Sequence, residues 1–453
     1  MSSQTNGIDA IESISLEDEV DGARSNSPEI ELVVWELSGQ GVYRAIHPMF
    51  MTPDAVYVLV FDLSKGLFDQ ATAKDNENGS ATNSENEDSN LDCIMRWMDI
   101  LNSMRYSAAD EILPPVLLVG THADCVNGNP RSIMDALLDR FRKIELGDQI
   151  KGNFVLDNTL NVPGQEDPQV AKLRRRILDE ANKLPHAMKK IPQKWFDIER
   201  KIQEEAKKGI KYYTTKEVLT KKVCQTQDLN EIDQILLFLC DRRSIIYHEN
   251  ASKQDGLVVL DPQWLVGRLC KLLSLPPEEE EKIEFRNLRK ELRETGILHQ
   301  KLLHRTCTEW EVKDIEEALV SLMKHYNLLF HCPRKEKNPI YLVPCMIKRA
   351  TGENEVIPSK NGSSTSPPIY LIFGTKFVPI GLFSRLAMLI GAWAAKKSSF
   401  EQLQINADTA CFILDGVNFL ELKCFKSVIQ VQVWSEDSTR QYSDPGLYSE
   451  IYW

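Results

Sequence analysis

Two stretches of this chain share a layout: an apolar run that reads as a strand, then a short polar loop. The first is Val33-Val34-Trp35-Glu36-Leu37-Ser38-Gly39-Gln40; the second is Val119-Gly120-Thr121-His122-Ala123-Asp124. A carboxylate at a strand end, as at Glu36, reads by itself as a surface acid facing solvent. His304-Arg305-Thr306-Cys307 and His331-Cys332 carry metal-binding atoms. No second regular pair joins them and the chain has no C-x-x-C, so structural roles are expected for both. Gly391-Ala392-Trp393-Ala394-Ala395-Lys396-Lys397-Ser398 imitates a phosphate loop, G-x-x-x-x-G-K-[ST], with Lys396 in place of the second glycine. That glycine permits backbone angles that lysine resists, and the segment continues an apolar helix instead of following a strand. It is rejected as a phosphate site.

The elements that hold the two loops alternate in type. Glu31 to Trp35 reads as a strand, Ala55 to Leu63 as a second and fully buried one, Pro115 to Val119 as a third and Phe154 to Leu156 as a fourth. Amphipathic helices fall between them, over Leu91 to Met104 and Ile133 to Ile144. Continuous apolar strands alternating with helices indicate a parallel sheet covered on both faces. Residues 1–29 and the insert 71–90 are polar, acidic and of low complexity, and both are expected to be disordered.

The character changes after about residue 185. Trp195 to Lys207 reads as a helix, Thr214/Thr215 with Glu217 approach a capping pattern, and Asp228 to Cys240 is a strongly amphipathic helix. A hairpin-like pair follows, Ser244 to Tyr247 and Leu257 to Leu260, and then a helix opened by Pro262. That order suggests a winged-helix-type module. Beyond the acidic segment 276–283, helices resume through Trp310 to Tyr326. A Gly/Ser/Pro-rich linker covers 351–368. Strands at Ile369 to Phe373, Ala410 to Leu414 and Val428 to Trp434, with one helix within Phe377 to Ala395, read as a small antiparallel α+β domain. The fold class expected is multidomain, α/β followed by α+β.

Composition narrows the function classes. A length of 453 residues leaves room for two to four domains, each with its own core. A net charge of −12 argues against a general nucleic-acid or anionic-membrane surface. The longest apolar stretch, Leu382 to Ala395, is broken by Ser384 and Arg385 and falls short of the roughly 18 residues of a membrane span. The acidic start is unlike a secretory or mitochondrial leader, and the scattered cysteines suit a reducing compartment, so a cytoplasmic location is expected.

The run Trp35 to Tyr43, then His47-Pro48-Met49-Phe50, closely resembles the Roc (Ras of complex proteins) GTPase domain, and Gly120-Thr121-His122-Ala123-Asp124 looks like its base-recognition loop. Leu239 to Tyr247, Leu257 to Leu265 with its Asp261-Pro262-Gln263-Trp264-Leu265, and Tyr341-Leu342-Val343-Pro344 resemble the COR (C-terminal of Roc) domain. Phe377 to Leu386 resembles its second half. The ordered combination points to a Roco-type protein. It implies a partial Ras-like Roc domain over 30–185, a helical COR-A module over 190–335 and a COR-B module over 338–453.

On this resemblance Gln40 orients the attacking water, Gly39 contacts the γ-phosphate, Glu36 holds Mg²⁺ through a water, and Arg44 is a weak candidate for an arginine finger. Asp124 accepts the N1 and N2 protons of guanine, with Thr121 and His122 in place of the usual Asn and Lys. The mostly polar residues ahead of Val33 form no phosphate loop, so the G domain is expected to lack its first strand and to be catalytically incompetent. GTP or GDP with Mg²⁺ are therefore doubtful cofactors, and the function expected is an intracellular signalling and dimerisation module. The alternative is a GTP-hydrolysing protein in complete or complemented form. Expected partners are a second copy through COR and other signalling proteins, with neither nucleic acid nor a transmembrane segment.

Overall fold

A computed structural model describes residues 8–15, 31–37, 45–69, 89–104, 113–144, 146–160, 167–185, 187, 190–213, 223, 229–248, 257–274, 283–309, 315–332, 338–347, 364–373, 377–379, 381–397, 404–414 and 417–436. Most of the insert at 71–90 and of the linker at 351–368, and the Thr214–Glu217 pattern, lie outside these residues. The described residues form two compact units. One runs to Ser274 and adds Glu317–Leu322; the other holds the remaining residues from 283 onward.

In the first unit β1 (Ile8–Ser15) pairs antiparallel with β2 (Glu31–Leu37). β1 lies inside the stretch expected to be disordered. The correction has a local cause: Ile8, Ala10, Ile11 and Ile14 give that acidic stretch enough apolar content to pair as a strand. β3 (Tyr57–Asp62), β4 (Val116–Thr121) and β5 (Ile150–Val155) form the parallel sheet that alternation with helices requires. β4 is buried along Val116–Val119. β3 departs from expectation, because Val58 and Val60 are 39% and 58% exposed. An apolar run does not distinguish a central strand from an edge, and among the described residues β3 is bonded on one side alone.

Helices α1 (Asn90–Ser103), α2 (Pro130–Arg142) and α3 (Pro168–Ala181) belong to this α/β part. Each begins on a side-chain cap: Ser89 with Asp92 in a reciprocal capping box, Asn129 before Pro130, and Asp167 before Pro168. The capping oxygens accept N–H groups that have no partner within the helix, and proline at the first position forfeits no hydrogen bond. α3 packs Val170, Leu173 and Ile177 against Leu117, Val119, Phe154 and Leu156.

The same unit continues with α4 (Gln193–Lys207), β6 (Tyr212–Tyr213), α5 (Leu229–Asp241), β7 (Ile246–His248), β8 (Leu257–Val259) and α6 (Pro262–Ser274). The strands form a small antiparallel sheet in the order β6-β8-β7. Ile198 and Ile202 of α4 meet Ile232, Ile235, Leu236 and Leu239 of α5 in one core with Val258. Arg242 fastens these helices: its Nε lies 3.1 Å from buried Glu199 and its guanidinium sits against the rings of Phe196 and Phe238. Asp261 accepts the Trp264 N–H at 3.0 Å, so Asp261-Pro262 starts α6 as the sequence suggested.

The second unit contains α7 (Ile283–Thr295), β9 (Ile297–His299), α8 (Gln300–Glu309), β10 (Phe330–Cys332) and β11 (Ile340–Leu342), while α9 (Glu316–His325) has its middle turns in the first unit. β11 is the middle strand of an antiparallel sheet in the order β10-β11-β9. Gly296 ends α7 at φ +75°, a conformation that costs glycine little, and a Cβ there would stand 2.7 Å from Ile347 Cγ1.

β12 (Ser364–Thr365), β13 (Ile369–Ile372), β14 (Gln404–Ile405), β15 (Thr409–Ile413), β16 (Asn418–Cys424) and β17 (Val428–Ser435) make one antiparallel sheet, with β12 and β13 both on β17. α10 (Leu382–Lys397) lays Phe383, Ala387 and Ala394 on Phe412, Leu420, Leu422 and Val431. Residues 391–397 are helical, as the rejection of a phosphate loop there requires.

Candidate functional site

The second polar loop leaves the carboxyl end of β4, where parallel α/β sheets bind their ligands. Three backbone bonds fix it. Leu63 N–H donates to Thr121 O, Leu156 N–H to Gly120 O at 2.8 Å, and Ala123 N–H to Leu156 O. Gly120 allows this close approach, because a Cβ there would stand 2.6 Å from Leu63 Cγ. The chain then turns through His122 at φ 57°, the left-handed region, and Asp124 follows in a short 3₁₀ turn with its carboxylate exposed.

Parallel register places Asp62 of β3 directly beside Thr121 of β4. Thr121 Oγ1 donates to Phe61 O, and His122 Nδ1 lies 3.1 Å from Thr121 Oγ1 and 3.5 Å from Asp62 Oδ1. Burial pushes the Asp62 carboxyl upward. Hydrogen bonds from the Ser64 hydroxyl and N–H, with His122 and Lys65 close by, outweigh it and hold the group below the usual carboxylate range. The Cys125 thiol donates to Asp124 Oδ2 at 3.3 Å, and that bond, with burial and the charges of Asp124, Asp62 and Asp157, raises its pKa. The loop is therefore a solvent-facing set of acceptors on a rigid strand end, suited to a ligand that presents N–H groups.

Of the residues expected to act here, Thr121, His122 and Asp124 come together on this loop. Glu36 stands exposed on β2, and Gly39, Gln40 and Arg44 lie outside the described residues. Asp62, Ser64 and Cys125 were missed. Asp62-Leu63-Ser64 carries a visible signal, an aspartate bonding the backbone two residues on directly after a strand. A groove of about 680 Å³ lined by Arg142, Asp148 and Lys151 opens at the opposite end of β5 and shares no residue with this loop.

For a guanine nucleotide the fit is divided. The exposed Asp124 carboxylate offers acceptors of the kind a base's N–H groups need. For Mg²⁺, no group of three potential metal ligands occurs among the described residues. Within the same residues no helix is long and apolar enough to cross a membrane. His304 pairs with Glu316 at 2.6 Å and Cys307 and Cys332 are buried, so these residues occupy structural positions.

Behind the α/β part, residues 192–347 match the family description "C-terminal of Roc, COR-A domain". The match runs to Ile347 and so includes β11, the middle strand of its sheet. Cyclic GMP-binding protein C of Dictyostelium discoideum is 25% identical over 252 residues, covering 54% of this chain and 8% of that protein. The probable serine/threonine-protein kinase pats1 of the same organism is 20% identical over 375 residues, covering 80% and 10%.

The chain is similar to Roco-type proteins, through a COR-A match over residues 192–347. The probable serine/threonine-protein kinase roco6, also from Dictyostelium discoideum, is 23% identical over 254 residues, covering 54% of the chain and 10% of that kinase. The chain thus spans a tenth or less of the length of these relatives.

Proposed function

We propose that this chain acts as an intracellular, cytoplasmic Roc–COR signalling module that dimerises through COR, with a G domain that does not turn over GTP. The observation that carries the reading is the COR-A match over 192–347, directly behind a three-stranded parallel sheet whose β4 runs into a loop with Asp124, and with Thr121 and His122 in place of the usual Asn and Lys. The order α4, β6, α5, β7, β8 with sheet order β6-β8-β7 supports a winged-helix-type module at the front of COR-A. The COR-A match runs past the expected boundary at 335–338, and the residues after 347, with α10 on an antiparallel sheet, support a COR-B module. Phosphate contacts dominate nucleotide affinity, and no G-x-x-x-x-G-K-[ST] loop occurs in these 453 residues, so base recognition alone leaves binding weak.

A second reading is guanine-nucleotide binding with GTP hydrolysis in a complete or complemented protein. Asp124, free to face a base from a strand end, favours it, with Gln40 orienting water and Glu36 on Mg²⁺ in their resemblance-implied roles. Titration of the purified chain with fluorescent GDP and GTP in Mg²⁺, with ATP as competitor, separates the two. No saturable binding is expected on the first reading. Tight binding that ATP does not displace would overturn it, and Asp124→Asn should then shift preference from guanine to xanthine nucleotides.

A further inference from the structure

Four helices among the described residues end on a residue in the left-handed region: Gly209 behind α4, Arg243 behind α5, Gly296 behind α7 and Asn327 behind α9. At Gly209, Arg243 and Asn327 the bonding is the same. The N–H of the next residue reaches back along the helix, from Ile210 to Glu205 O, from Ser244 to Leu239 O and from Leu328 to Met323 O. This way of ending a helix favours glycine, because a Cβ is strained there, and asparagine is the usual substitute. Arginine is neither. At φ 58° Arg243 keeps a strained backbone where glycine would fit freely, so its side chain must supply something that glycine cannot.

That side chain bridges two carbonyls. Arg243 Nη1 donates to Cys240 O at the end of its own helix, and Nη2 donates at 2.9 Å to Met51 O in the α/β part. Hydrogen bonds from a charged donor are the strong kind. Arg243 forms no ion pair among the described residues, and its Nε is buried without a partner there. Met51 belongs to a segment that is fixed on other sides as well. Ile46, His47, Met49, Phe50 and Met51 are all buried. The His47 ring stacks on Trp97 of α1 at 5.0 Å, and Phe50 meets Trp35 of β2 at 5.1 Å. Thr52 N–H donates to Tyr57 Oη, which donates in turn to Thr52 O. Burial pushes the Tyr57 phenol up to about 12, so it stays neutral and serves as donor and acceptor together. These contacts come from the α/β part; the one from Arg243 comes from the helical part.

We propose that Arg243 is a brace: from the end of α5 it holds Ile46–Thr52 in one arrangement, so that this segment and α5 open in a single step. The stretch behind the first polar loop is then positioned by the helical part and does not move by itself. The guanidinium fork suits this task because its terminal nitrogens address two separate carbonyls at once. The brace acts whether or not a nucleotide binds at the β4 rim.

Amide hydrogen exchange of the full chain, read peptide by peptide, tests the brace. In Arg243→Gly the end of α5 keeps a residue suited to its backbone. Helix α5 should therefore stay protected while exchange across 46–57 rises by about tenfold or more. Unchanged exchange across 46–57 overturns the proposal. So does an equal rise throughout α5, which would make Arg243 a part of the helix end and nothing more. Arg243→Lys keeps the charge and loses the fork, so it should loosen 46–57 as well; full protection in that variant overturns the bridging role of the guanidinium. The wild-type chain gives a check that needs no variant. In denaturant below the main unfolding transition, 46–52 and α5 should lose protection together. Loss at 46–52 while α5 remains protected overturns the single opening step.

Discussion

β4 in the first unit has no exposed residue from Val116 to Val119, while β3 beside it turns Val58 and Val60 outward at every second position. In the second unit β16 is buried from Asn418 to Leu422, while β13 at the margin exposes three successive residues. Both sheets thus enclose a central strand and leave an apolar margin, yet they use their ends differently. The parallel sheet aligns all its strand ends, so Asp62, Thr121 and Asp124 gather at one rim. The antiparallel sheet reverses direction at each step and gathers no such rim, and its chemically distinctive feature is the length of an edge. Exposed polar groups thus gather at the end of one sheet and exposed apolar side chains along the side of the other.

The largest test of this contrast lies within the first sheet. Leu117→Ala in β4 should cost about 2–5 kcal/mol by chemical denaturation, because it deletes fully buried methyl groups. Val60→Thr in β3 should stay within about 0.5 kcal/mol. Equal costs would mean that β3 is no margin at all.

An intermediate effect is expected at Gly120. Adding a methyl group there drives it into buried Leu63, so Gly120→Ala should lose about 1–3 kcal/mol. It should also displace the Thr121–Asp124 loop, seen as altered backbone amide shifts of those residues. Unchanged shifts would show that the rim does not depend on this contact.

The smallest effect concerns protons. The Asp62 carboxyl titrates below its unfolded value, so its contribution is present above the unfolded pKa and lost as pH falls through the folded one. Stability should therefore decline slightly less steeply below about pH 4 in Asp62→Asn than in wild type. An identical acid limb would indicate that Ser64 and His122 do not favour the charged form.

The sequence was most legible where the apolar residues of an element keep its period. α1, α2, α4, α5 and α6 and the strands β2 and β4 fall at or near the expected positions. α3 escaped notice because Lys172, Arg174, Arg175 and Arg176 crowd its middle and mask the stripe of Val170, Leu173 and Ile177. β1 was hidden by the acidic composition around it. The candidate site was half legible. Thr121, His122 and Asp124 are contiguous and could be read from one loop. Asp62 could not be, because only the register between β3 and β4 brings it next to Thr121.

The acidic insert is closed at its neck. Asn90 N–H donates to Asp69 O and Leu91 N–H to Leu67 O, the Asn90 side chain reaches Gly66 O, and Ser89 with Asp92 seals the start of α1. Whatever chain runs between Asp69 and Ser89 leaves and returns through fixed anchors. Loop-closure entropy grows only with the logarithm of length, so doubling that span adds about 0.6 kcal/mol. This makes the interval a natural socket for grafting: a reporter peptide or a second small domain placed there would ride on the α/β part without disturbing its sheet.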